Sequence, residues 1–78
     1  MDNLQYQLEE LKKQILWLDE QREFFHVHEC MLTLDYNQNN VEFWEYLRRS
    51  RYLSSEIARI DDERKSVQSE IDATYHEM

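Results

Sequence analysis

The sequence predicts an all-α protein: an antiparallel helical hairpin of coiled-coil type, pairing into a dimeric four-helix bundle. Three observations lead there. Glycine and proline are both absent from the 78 residues, so no position cheaply adopts φ > 0 and none is barred from a helix interior. Apolar residues recur in alternating steps of three and four, the heptad spacing of a coiled coil. One stretch alone, Asp35-Tyr36-Asn37-Gln38-Asn39-Asn40, is poor in helix formers and rich in turn residues.

These features make residues 1–78 a single hairpin domain, with helix one over about 3–35, a turn over about 36–39 and helix two over about 40–76. Asp2 with Gln5 offers an N-terminal cap for helix one. Asn39 followed by Glu42 reads as an N-cap and capping-box partner for helix two. The seam of helix one is Leu4, Leu8, Leu11, Ile15, Leu18, Phe25, Leu32 and Tyr36, interrupted by Arg22 and Glu29. That of helix two is Phe43, Tyr46, Leu53, Ile57, Ile60, Val67, Ile71 and Met78, interrupted by Ser50, Arg64 and Thr74. Folding back at about residue 39 pairs Leu11 with Val67 and Leu18 with Ile60. The same register sets Arg22 against Glu56 and Glu29 against Arg49, two opposite-charge pairs that would fix it.

Helix one carries a second apolar stripe on another face: Trp17, Phe24, Val27, Met31 and Leu34. A helix that is apolar on more than one side needs more than one neighbour. Aromatics and methionine are enriched in interface cores. The stripe, extended by Trp44, Leu47 and Tyr52 near the hairpin tip, is therefore the expected partner-binding or dimer surface. The partner would be a second copy of the chain, another protein, or both. An alternative fold is a compact three-helix bundle, in which helix one bends near residue 26 and consumes the stripe internally.

Composition narrows the function. Seventeen acidic residues against nine basic give a net charge of −8, which opposes direct binding to nucleic acid and favours basic partners. Cys30 is the only cysteine, so no intrachain disulfide is possible and a cytoplasmic setting fits best. No apolar run approaches a membrane span, and no export signal is visible.

Chemistry-bearing constellations are few. Glu23 and His26 have the E-x-x-H spacing of di-iron bundles, Cys30 follows one turn later, and Glu56 could add a carboxylate. The bland alternative is an aromatic cluster flanked by histidines, and the remote metal reading is not adopted. Cys30 with His26 lacks an orienting third group and a glycine-built oxyanion hole, so no enzyme and no cofactor are expected. Arg48, Arg49 and Arg51 sit among aromatics, but Trp44, Tyr52 and Glu45 offer them partners on their own helix. Leu53-Ser54-Ser55-Glu56-Ile57 resembles the Ser-Gln-Glu-Leu-Asp signature of small helical-hairpin phosphatases that act on sporulation response regulators. Ala58 stands where the signature has its aspartate, so nothing is carried over.

The reading is a non-enzymatic protein–protein interaction module, regulatory or adaptor-like. Its alternative is a small acidic inhibitor that occupies a nucleic-acid site on an enzyme, as phage anti-defence proteins do. There the working surface would be an acidic face of Glu9, Glu10, Glu70 and Asp72 at the termini end.

Overall fold

In the computed structural model, which describes residues 3–77, two helices of equal length lie antiparallel: α1, Asn3–Asn37, and α2, Phe43–Glu77. The molecule is 58 Å long and at most 15 Å across. That is one layer of two helices, so among the described residues nothing covers the far side of either. α1 runs unbroken through residue 26, which corrects the three-helix alternative. No helix among the described residues is long and apolar enough to cross a membrane.

The turn forms without glycine. Asn40 N–H donates to the Asp35 carbonyl at 2.9 Å and Asn39 N–H to the Tyr36 carbonyl at 3.0 Å. These are the two bonds of a Schellman motif, whose closing residue must be left-handed. Asn39 fills that place with φ 62°, since asparagine is the residue that tolerates αL best after glycine. Asn39 therefore ends α1 and does not cap α2. The first turn of α2 starts from Glu42, whose carbonyl accepts Tyr46 N–H at 2.9 Å. Asn39→Val is expected to cost about 1–2 kcal/mol, the penalty of a left-handed L-residue, whereas Asn39→Gly should not destabilise; thermal melts read both.

This closure resets the register. α1 continues to Asn37 and α2 begins only at Phe43, so the fold-back point moves toward the C-terminus. Leu11 then packs in one cluster with Leu8 and Ile71, joined by Ile15 and Val67. Tyr36 stacks on Tyr46 at 4.4 Å. Facing residues thus have numbers summing to about 82 rather than 78, a slip of about one helical turn. The pairs Arg22–Glu56 and Glu29–Arg49 do not form. Arg22 bonds Asp61, Glu56 holds Arg59, Glu29 accepts from Ser54, and Arg49 bonds Glu45.

The new register has its own logic. It sets each polar interruption opposite a large apolar residue: Arg22 against Ile60, Glu29 against Leu53, Ser50 against Leu32, Arg64 against Leu18 and Thr74 against Leu8. Those five apolar residues, with Leu11 and Ile71, are the buried core. Small Ser50 and Thr74 leave room for a leucine. Arginine lays an aliphatic stem beside its partner while the charged head reaches solvent. Thr74 is buried, and its hydroxyl donates to the Glu70 carbonyl at 2.8 Å. Phe43, expected in the seam, is instead half exposed. Its counterpart would fall in the turn, and its ring meets those of Tyr36 and Trp44.

Candidate functional site: the outward face of the first helix

The two flanks of the hairpin differ. On one, α2 presents Ser54, Asp61 and Tyr75 at heptad spacing, and polar contacts tie it to α1. Lys12 Nζ sits 5.7 Å from the Tyr75 ring centroid. Arg64 Nε donates to Asp19 at 2.8 Å and Arg22 Nε to Asp61 at 2.9 Å. Ser54 Oγ donates to Glu29 at 3.3 Å. The two ion pairs are reciprocal, because Asp19-x-x-Arg22 and Asp61-x-x-Arg64 repeat one motif in antiparallel helices. The hydrogen bond to Asp19 raises the Arg64 pKa.

On the opposite flank α1 presents Gln14, Gln21, His28 and Asp35, and α2 presents Arg49, Glu56, Glu63 and Glu70, again at heptad spacing. Here charges are satisfied along α2 itself. Arg59 bridges Glu56 and Glu63 at 2.8 Å each, and its hydrogen bond to Glu56 raises its pKa. Glu45 accepts from Arg48 at 2.6 Å and Arg49 at 2.8 Å. The bond from Arg48, ahead of the charges of both arginines, holds the Glu45 carboxyl below its ordinary range. A depressed carboxyl contributes stability that is complete above its unfolded value of about 4.3 and is lost as pH falls through the folded value. Acidification through that folded value, below about pH 4, should therefore loosen the start of α2, read by amide signals of residues 43–46.

Grooves lie between the helices on both flanks, and that on the strapped flank holds about 420 Å³ beside Glu29, Tyr46 and Ser50; two on this flank have apolar floors. A groove of about 350 Å³ has Leu32 and Leu53 as its floor, with Met31 and Tyr52 on its walls. A second, of about 330 Å³, runs over Leu18 and Val67 beside Trp17. The Phe25 and Tyr52 rings meet edge-on at 6.4 Å across the helix pair.

Beyond this flank lies the outward face of α1. Trp17, Phe24, Val27, Met31 and Leu34 are 44–57 % exposed. Trp17, Phe24 and Met31 recur every seven residues, as do Val27 and Leu34. Together they form a second heptad seam, interrupted at Glu20, on the side of the helix away from α2. Leu16, also exposed, joins it. It stands eleven residues, close to three turns, before Val27, a step that a search in threes and fours passes over. α2 has no such face. Its apolar residues gather on one side, whereas those of α1 are spread over two and leave it with almost no amphipathic direction.

The expected tip residues separate. Tyr52 shares its groove with Met31 and extends the patch. Leu47 is half-buried and lies in line with Ser54 and Asp61 on the strapped flank. Trp44 projects at the tip, 76 % exposed, with Phe43 against it at 5.5 Å. Arg48 bonds Glu45. At the other end Glu9 and Glu70 are exposed, Glu10 pairs with Lys13, and Asp72 accepts from Gln68. Asp2 and Met78 lie outside the described residues.

Among the described residues no three His, Cys, Asp or Glu side chains gather to hold a metal ion. Cys30 Sγ is 3.9 Å from His26 Nε2, and His26 Nδ1 is 3.8 Å from Glu29. His28 Nδ1 lies 2.8 Å from the Phe24 carbonyl, which can only accept. No family model matches the chain, and searches of curated proteins and of solved structures return no similar protein.

Proposed function

We propose that this chain is a non-catalytic contact module, regulatory or adaptor-like, whose working surface is the outward seam of α1 with Tyr52 at its edge. One observation carries the reading: α1 has two heptad seams on opposite sides, and α2 covers only one. Aromatic side chains present about 150–250 Å² each when whole. Half exposed, the residues from Leu16 to Leu34 then offer on the order of 600 Å² of apolar surface, the upper end of what a monomer usually shows. A second hairpin laid on this face would bring the helix count to four. The single exposed thiol of Cys30 suits a reducing compartment such as the cytoplasm.

The test is site-specific photo-cross-linking in cells. A benzophenone side chain at Val27 should give adducts, and the same group at Asp62 on the outer side of α2 should give none. Trp17→Asp and Met31→Asp should remove the Val27 adducts while leaving far-UV helicity intact, because neither side chain is part of the core. Equal adducts from Val27 and Asp62, or none from Val27, would contradict the reading.

A further inference from the structure

Resting on that contact reading, we propose that the occupant of the outward seam is the same seam of a second copy, packed antiparallel with the two-fold axis between Phe24 and Val27. The seam is self-complementary in this sense of packing. Trp17 falls opposite Leu34 of the second copy and Phe24 opposite Val27, each twice by symmetry. Every such layer sets an aromatic ring against a smaller aliphatic side chain, the alternation that fills a helix interface without voids.

Charge favours the same arrangement. Flanking positions in the antiparallel pair bring Glu23 toward Cys30 and Gln21 toward His28 of the second copy, so like charges do not meet. A parallel pair would stack Glu20 on Glu20 in the seam, and would bring two acidic termini ends together in a chain of net charge −8. The antiparallel pair sends those ends in opposite directions. Area agrees as well: two faces of about 600 Å² bury about 1,200 Å², the lower bound of a specific stable interface.

The geometry also fixes what kind of assembly results. The outward seam lies opposite the α2 seam, and the outer side of α2 is polar or small at Ser55, Ala58, Asp62, Lys65 and Ser69. The two α1 helices therefore pack centrally and the two α2 helices lie outside, as a flat array. In a square four-helix bundle each α2 would also need an apolar flank. Glu20 is the one mismatch, falling opposite Met31 of the second copy. A single polar residue of this kind fixes register at a cost in affinity.

Light scattering over a concentration series, with distances between nitroxide labels, tests the proposal. Wild type should reach twice the monomer mass. Phe24→Asp should weaken association at least about a hundredfold with helicity unchanged, Glu20→Leu should tighten it about tenfold, and Trp44→Asp should leave it alone. A label at position 13, in a Lys13→Cys, Cys30→Ser chain, should report a separation of about 40 Å in the dimer, from a rise of about 1.5 Å per residue and an interaxial spacing of about 10 Å. A separation under about 20 Å would mean a parallel pair and one above about 60 Å an end-to-end contact; either overturns the proposal. So would a monomer up to about 100 µM, in which case adducts of a foreign protein at Val27 would leave the contact reading standing and their absence would remove it too.

Discussion

Ile60→Ala should unfold much of the hairpin at physiological temperature. Ile60 is the most deeply buried side chain, 1 % exposed, and it faces Arg22 across the seam. Truncating a buried isoleucine to alanine costs about 2–5 kcal/mol, a transfer loss plus a cavity. A domain this small holds only a modest total stability. At about 4–8 °C per kcal/mol, the midpoint should drop by at least about 8 °C. Ile57→Ala, at a half-buried seam position, should cost clearly less. Circular dichroism melts at one fixed concentration compare them, since any self-association would add to the apparent stability.

Charge reversal at the strapped flank should come next in size. Asp19→Arg with Asp61→Arg would set four arginines side by side where two reciprocal ion pairs now stand. The expected result is a melting point lower by several degrees. Adding Arg22→Asp and Arg64→Asp restores both pairs with their polarity reversed, and the midpoint should return. Raising the salt concentration should narrow the difference, because all four side chains are partly exposed. Failure of the quadruple variant to recover would argue that the observed register is not the one in solution.

That register is where the sequence was least readable. The seams themselves are plain in the spacing, and the described residues at Leu8, Leu11, Leu18, Leu32, Leu53, Ile60 and Ile71 all prove buried. The turn is plain too, from its run of asparagine and polar residues. A slip of about one turn, however, keeps every seam residue facing inward, so the hydrophobic pattern cannot choose between the two alignments. The choice falls to the turn, where Asn39 takes a left-handed conformation usually given to glycine, and to the polar interruptions. Folding back at residue 39 sets Arg22 against Glu56, and that charge match lends false support to the alignment. Size decides: arginine stems and small hydroxyl residues sit opposite large aliphatics, and the guanidinium groups find carboxylates one step along, at Asp61 and Asp19. The repeated Asp-x-x-Arg motif, read on both helices at once, could have signalled this.

The outward stripe was legible for the same reason as the inner seam, since its residues also recur at heptad spacing. Its separation from Leu47 and Trp44 was not, because that depends on which way the hairpin closes, which sets Tyr52 and not Leu47 on the flank beside Met31. Phe43 escaped the seam because its place in it falls beyond the end of α1.

Assembly should bury both faces of α1, and the chain carries one tryptophan on the outward seam and one away from it. In Trp44→Phe, acrylamide quenching of Trp17 should fall several-fold as concentration rises through the association range, while in Trp17→Phe the quenching of Trp44 should stay high throughout. Trp17 remaining as quenchable as Trp44 at concentrations where the mass has doubled would contradict that burial, and would move the interface away from the outward seam.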